Sequence, residues 1–303
     1  MSASFKHILI PTDLSDFSGL ALKYGALFNR RAGSNLTLLF VEEGHVAFDL
    51  SAIPAGYYVD NPSSPDPLLA VLAEQARLYA PGISVQNRIV TDAPSRGIVK
   101  TASDIDADLI IMGTHGRHGV ERAFLGSVTE RVLRSTNRAV FTVSQLHFDL
   151  EGEIAIRRIL CPVNFTPIGR AALTYAAGVA ETFHAELVVT YVVEDGAEPS
   201  RALAGRELAA WIAPAVGDRV KYREIISHGD AAGRVLETAA EVGADLLVIG
   251  SQHKFFSDAT VIGTTTERVT RFARIPVITV PLNLPVQDKI LDRTARRPAA
   301  VPA

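Results

Sequence analysis

Residues 107–113 read ADLIIMG, and residues 244–250 read ADLLVIG, 137 positions further on. Both segments continue in step: GSVTERVLR (126–134) returns as GTTTERVTR (263–271), and 107–143 set against 244–280 contains 13 identities in 37 positions. A repeat of this length decides the architecture ahead of any single motif, because each copy must fold as the same kind of unit. Working back toward the N-terminus, HILIPTD (7–13) returns as RILCPVN (158–164) at a shift of 151, which pairs Ile8 with Ile159, Leu9 with Leu160, Pro11 with Pro162 and Asp13 with Asn164. The same shift pairs Val41 with Val192. The change of shift from 151 to 137 places 14 extra residues in the first copy, within the Pro-, Gly- and Ser-containing stretch from Gly44 to Pro67, which reads as an enlarged surface loop.

Each copy alternates short apolar runs with helical patterns. The runs HILIPT, LTLLFV, VQNRIV, DLIIMG and AVFTV in the first have counterparts RILCPV, LVVTYV, YREII, DLLVIG and PVITV in the second. Runs this short and apolar throughout suit parallel strands buried on both faces. Stretches such as SGLALKYGALFNR carry apolar residues at spacings of three and four, the signature of an amphipathic helix. Strands alternating with helices imply right-handed crossovers, so each copy is expected to be an open α/β sheet of about five parallel strands. The first unit is placed at 1–147 and the second at 153–284, with 285–303 a loosely held, proline-containing tail. The last runs, AVFTV (139–143) and PVITV (276–280), would leave open sheet edges and are expected to meet edge to edge within the chain.

Composition narrows the function. Of 303 residues, 48% are hydrophobic and 21% charged, which excludes disordered, collagenous and disulfide-scaffold classes. Lys and Arg number 30 against 33 Asp and Glu, a formal charge of -3, so no global field draws the chain to nucleic acid or an anionic membrane. The single cysteine, Cys161, sits in the apolar strand ILCPV and reads as a buried small hydrophobe in a reducing compartment. No run reaches the roughly 18 apolar residues of a membrane helix, and MSASFKHILIPTDLSD has too short an apolar core for a signal peptide. A cytoplasmic location is expected. His184, His228 and His253 lie in separate segments without ligand spacing, and no metal site is expected.

The residues that stand out collect where a doubly wound sheet binds ligands, at the strand carboxyl ends and the helix starts beyond them. The fourth strand of the first copy runs into Gly113-Thr-His-Gly116-Arg-His-Gly119, and Gly126-Ser127 follows. Glycines let backbone N–H groups approach an oxygen with no Cβ in the way. Ser127-Val128-Thr129-Glu130 reads as a capping box, with Ser127 as N-cap, and sets a helix start beside the glycine loop. Backbone donors there, with the Ser127 and Thr129 hydroxyls, suit a triphosphate. Asp13 closes the first strand and is placed to accept from a ribose or to cap the next helix; Val41 is placed to wall a base.

The pattern Gly113-x2-Gly116-x9-Gly126-Ser127, together with Pro11-Thr12-Asp13 at the end of the first strand, resembles the nucleotide-binding pattern of the universal stress protein family. The resemblance extends over both repeats. It implies a Rossmann-like, adenine nucleotide α-hydrolase-like fold, ATP binding with magnesium, and pairing of two units through their last strands. Carried over by position, the ATP contacts are Pro11, Thr12, Asp13, Val41, Met112, Gly113, Gly116, Gly126, Ser127, Val128 and Thr129. The second copy departs from the pattern. It keeps Gly250 and Gly263-Thr264, and Thr264 to Glu267 reads as a capping box, but His253 replaces the middle glycine and Asn164 stands where Asp13 does. Weak or absent ATP binding is expected there, with Phe255 and Phe256 as candidate plugs of the crevice.

No Gly-Lys-Ser/Thr loop, dinucleotide fingerprint or Ser-Gly-Gly pyrophosphatase loop is present, and no nucleophile elbow stands out. The reading is therefore an ATP-binding regulatory protein of the stress response and not a dedicated enzyme. A ligand-free interaction scaffold and a weak ATPase are the alternatives. The expected partners are an adenine nucleotide and the other half of the same chain, with a second copy as a candidate dimer partner.

Overall fold

The computed structural model describes residues 5–44, 67–114, 125–143, 154–194, 201–251, 254–256, 259–261 and 263–284. In the first unit, β1 (His7–Thr12), α1 (Asp16–Ala32), β2 (Asn35–Glu42), α2 (Pro67–Tyr79), β3 (Val85–Thr91), α3 (Pro94–Asp104), β4 (Leu109–Gly113), α4 (Ser127–Ser135) and β5 (Ala139–Val143) follow one another. The second unit repeats the series as β6 (Arg158–Val163), α5 (Pro167–Phe183), β7 (Glu186–Val193), α6 (Arg201–Val216), β8 (Tyr222–His228), α7 (Ala231–Val242) and β9 (Leu246–Ser251). It continues through a hairpin of β10 (Lys254–Phe256) and β11 (Ala259–Val261) to α8 (Thr264–Phe272) and β12 (Val277–Pro281). The hairpin is an addition that the apolar pattern did not reveal. Most of the enlarged loop after Gly44, and the tail 285–303, lie outside the described residues.

The strands form one sheet in the order β3-β2-β1-β4-β5-β12-β9-β6-β7-β8. Within each unit every pairing in this ten-stranded sheet is parallel, while β10 and β11 pair antiparallel as a separate two-stranded sheet. Between the units, β5 and β12 pair antiparallel, with Ile278 opposite Phe141, so the two last strands do meet edge to edge. Side chains reinforce the junction: Thr142 Oγ1 donates to the Val277 carbonyl at 3.1 Å and Thr279 Oγ1 to the Val140 carbonyl at 3.3 Å.

Alternation along the strands divides the core. One face, under α1, α2, α5 and α6, carries a single apolar cluster that runs through both units. At its centre Phe28 meets Phe183 across the junction with ring centroids 4.8 Å apart, and Phe5 meets Tyr175 at 5.7 Å. The other face carries two separate clusters, one under α3 and α4 and one under α7 and α8. The units are joined on one face and distinct on the other, and the candidate site lies on the distinct face.

Local side chains and left-handed residues set the ends of α1 and α5. Ser15 caps α1 and Thr166 caps α5, each accepting from an amide three residues on. At the other ends Gly33 and His184 occupy equivalent left-handed positions, with φ of 69° and 53°.

Candidate functional site

The crevice follows from topology. The chain fills the sheet outward from β1 through β2 to β3, then returns to place β4 on the other side of β1. The loops leaving β1 and β4 therefore part at their carboxyl ends, which is where a doubly wound sheet takes its ligand. Pro11, Thr12 and Asp13 end or follow β1; Met112 and Gly113 end β4; Val41 lies near the end of β2. Leu9, Leu39, Ile110 and Met112 belong to the cluster under α3 and α4, and Val41 and Val128 pack against it. By strand alternation Pro11 shares this face with Leu9. Sequence-distant residues are thus brought to one side of the sheet.

The start of α4 is held against the end of β4 by two bonds. The Gly126 amide donates to the Thr114 carbonyl at 2.7 Å, and the buried Thr129 hydroxyl donates to the Gly113 carbonyl at 2.9 Å. The same hydroxyl contact recurs in the second unit, from Thr266 to Gly250 at 2.7 Å. Thr129 therefore braces the base of the glycine loop with its side chain. Gly116, with its neighbours His115, Arg117, His118 and Gly119, lies outside the described residues.

The capping boxes expected at Ser127 and Thr264 are not formed. The N-caps are Gly126 and Gly263, and neither makes a side-chain capping bond. Ser127 is instead the first helical residue, and Glu130 accepts from Arg134 at 2.6 Å, not from the cap amide. The Gly126 amide is bonded to the Thr114 carbonyl and is therefore not open to Glu130. The consequence for binding is favourable: a glycine cap offers no oxygen to the first-turn N–H groups, which have no intrahelical acceptor and carry the positive end of the helix dipole. Ser127 is exposed, and Gly126 and Val128 are half-buried.

Across the crevice, Asp13 is half-buried, and its Oδ1 accepts from the Ser15 hydroxyl at 2.6 Å and the Ser15 amide at 3.1 Å. In the second unit Asn164 Oδ1 accepts from the Thr166 hydroxyl at 2.6 Å. The hydroxyl bond of this turn is thus made to a carboxylate in one unit and to a neutral amide in the other, so that bond does not require the charge at Asp13. Both turns pass through a left-handed non-glycine residue, Leu14 at φ 65° and Phe165 at φ 54°. Such a conformation costs on the order of 1–3 kcal/mol and is held by its surroundings. In the first unit a buried polar network does this, and sequence reading missed it. The Leu14 amide donates to Thr12 Oγ1 at 2.9 Å, Thr12 lies 2.8 Å from Gln75 Oε1, and Gln75 Nε2 lies 3.3 Å from Ser18 Oγ. The signal was the amide Gln75 among the apolar positions of α2. In the second unit Val163 and Gly169 replace Thr12 and Ser18, and Phe165 packs on Tyr191 and Trp211 with centroids 4.6 and 5.6 Å away. Arg170 stacks 3.9 Å over the Trp211 ring, so Trp211 is a packing residue.

A Cβ placed on Gly250 would lie 2.8 Å from Ile168 Cγ1 and 3.0 Å from the Ile168 carbonyl oxygen, so the start of α5 closes on the end of β9. The side chains of Phe255 and Phe256, and His253 itself, lie outside the described residues. At the start of α7, Asp230 is the N-cap, and its carboxyl is held below the usual carboxylate range, first by the hydrogen bonds from Arg268 and then by the Gly233 amide. Cys161 is fully buried, and desolvation pushes its thiol pKa up, away from reactivity. Among the described residues no cluster of His, Cys, Asp or Glu is arranged to hold a metal ion, and no helix is long and apolar enough to cross a membrane.

The fold and the site define a tandem, doubly wound α/β protein with a crevice at the switch point of each half. Comparison with known proteins makes this specific. The model of the universal stress protein family matches residues 4–144 and again 155–281, and the chain belongs to that family. Universal stress protein MJ0577 of Methanocaldococcus jannaschii is 33% identical over 159 residues, which is 48% of this chain and 98% of that protein. Universal stress protein Slr1230 of a Synechocystis species is 24% identical over 302 residues, covering 90% of this chain and 99% of its own length, so a relative of similar length matches end to end. A universal stress protein structure from Archaeoglobus fulgidus superposes with a TM-score of 0.67 at 23% identity, covering 91% of this chain and 98% of that one, a likeness of fold.

Proposed function

We propose that this chain is an ATP-binding regulatory protein in which the N-terminal unit holds the nucleotide. The observation that carries this reading is the start of α4: a glycine cap with no side-chain capping bond, pinned at 2.7 Å to Thr114 just past the end of β4, the strand beside β1. The first-turn amides at Ser127, Val128 and Thr129, with the exposed Ser127 hydroxyl, suit phosphate oxygens. Pro11, Val41 and Met112 supply an apolar wall for a base, and Asp13 a carboxylate for ribose hydroxyls. The phosphate carries its magnesium with it. The same reading treats the second unit as a structural and modulatory partner, because Asn164 replaces Asp13 and His253 replaces the middle glycine. Binding without dedicated turnover fits a site made of backbone donors.

A Gly126→Asp variant tests this directly. An N-cap carboxylate accepts from the first-turn amides itself and supports the helix by a few tenths of a kcal/mol over glycine, so folding is retained. It also sets a negative charge where the phosphates would lie. Isothermal titration with Mg-ATP should show binding to the wild type and its loss in the variant, and wild type at 100 times the dissociation constant should gain about 2.7 kcal/mol of stability. Unchanged affinity in the variant would refute the assignment, and no binding by wild type would favour the ligand-free scaffold. Phosphate release from bound ATP, lost in Gly126→Asp, would favour the weak ATPase.

A further inference from the structure

The two units differ in one charged contact that lies on the ligand edge of the sheet. In the second unit Asp230, the N-cap of α7, accepts from the Gly233 amide at 2.8 Å and also receives both prongs of Arg268, at 2.7 and 3.0 Å. Arg268 is the fifth residue of α8. The fifth residue of α4 is Arg131, its counterpart at the shift of 137. The counterpart of Asp230 is Ala93, which is the N-cap of α3 and makes no side-chain capping bond.

The first unit therefore keeps the arginine and lacks its carboxylate. Arg131 is exposed, and among the described residues no acidic group pairs with it. The acids near it are committed elsewhere: Asp92 accepts from the Ala93 amide at 2.6 Å and pairs with Arg96, and Glu130 pairs with Arg134. Side chains on a helix lean toward its N-terminus, so Arg131 leans from one turn down toward Gly126 and Ser127. Arg268 reaching an N-cap on the neighbouring helix shows how far such a side chain extends along this edge.

We propose that Arg131 supplies the cation that reads the phosphate chain of the nucleotide in the N-terminal unit, and that Asp230 is a built-in carboxylate that holds Arg268 away from any anion in the C-terminal unit. A guanidinium matches two oxygens of a phosphate as it matches those of a carboxylate, and Asp230 shows the anion geometry this position accepts. The selectivity that results is for the charge on the phosphates; adenosine gains nothing from it. This rests on the ATP reading above and adds to it the residue that separates the two units.

The test is titration of ATP, AMP and adenosine into wild type, Arg131→Gln, Arg131→Lys, Ala93→Asp and the Arg131→Gln/Ala93→Asp pair, with melting curves for each. Loss of a charge-assisted contact should weaken ATP by roughly 10- to 100-fold in Arg131→Gln and leave adenosine unchanged. Arg131→Lys should recover part of the loss. Ala93→Asp should weaken ATP by forming in the first unit the pair seen in the second, and should add little once Arg131 is gone. ATP binding unaltered in Arg131→Gln overturns the role of Arg131 while the ATP site stands, and an equal loss for ATP and adenosine also overturns it. Absence of ATP binding in wild type overturns both readings.

Discussion

Replacing Thr129 by valine removes a hydroxyl and leaves the shape of the side chain nearly unchanged. Thr129 is 3% exposed, and its hydroxyl donates to the Gly113 carbonyl at 2.9 Å, joining the last residue of β4 to the first turn of α4. Valine would leave that carbonyl without its side-chain donor at a cost of about 1–3 kcal/mol. For a unit of this size each kcal/mol lowers the melting temperature by roughly 2–4 °C. The internal repeat supplies its own control, because Thr266 makes the same bond to Gly250 at 2.7 Å in the second unit. Thr266→Val should lose stability by a similar amount. Only Thr129→Val should also weaken ATP, because only there does the brace set the spacing between the glycine loop and the helix start that receives phosphate. Differential scanning calorimetry and titration with Mg-ATP measure the two effects on the same samples. Equal loss of ATP affinity in both variants, or a Thr129→Val protein as stable and as tightly binding as wild type, would refute the role given to the brace.

The junction and the edge of the second unit give two further expectations. Phe141 is fully buried at the antiparallel pair, with its ring 4.9 Å from Tyr24 and 6.1 Å from Phe28, so Phe141→Ala should cost about 3–5 kcal/mol in denaturant unfolding; a change under about 1 kcal/mol would show that the junction is not part of the core. Glu186 accepts from Arg158 at 2.7 Å and Arg223 at 2.8 Å, and its carboxyl is held below the usual range first by the Arg158 hydrogen bond. A depressed folded-state pKa contributes stability above the unfolded value near 4.3 and loses it as pH falls through the folded value. The melting temperatures of wild type and Glu186→Gln should therefore differ at pH 6 and converge as pH is lowered below about 4, and a constant gap would contradict the pairing.

Much of this protein was open to reading because its signals are local and occur twice. The run ADLIIMG is apolar on both faces over a length that suits a buried strand, and its return as ADLLVIG made the tandem architecture visible without coordinates. The edge-to-edge junction followed from AVFTV and PVITV, since two apolar last strands need a partner. The helix starts were read less well. Ser127 and Glu130 have the spacing of a capping box, yet Gly126 is the cap, and the start of α4 is tied to the end of β4 by the Thr129 bond to the Gly113 carbonyl 16 positions away, which no local pattern records. The same holds for Gln75, which joins Thr12 and Ser18 only after α2 has packed beside α1.

Sequence by itself determined the repeat, the parallel strands within each half, the edge that joins them, the Pro-Thr-Asp end of β1 and the glycine-bearing end of β4. All of these depend on periodicity and residue type along the chain. The tertiary structure alone decided which polar groups are committed and which stand open: the starts of α4 and α8 without side-chain caps, and the carboxylate that Asp230 gives to Arg268 while Arg131 has none among the described residues. Hydrogen bonds and ion pairs are made between surfaces that only packing brings within about 3 Å, so two nearly identical segments acquire different chemistry from what folds against them.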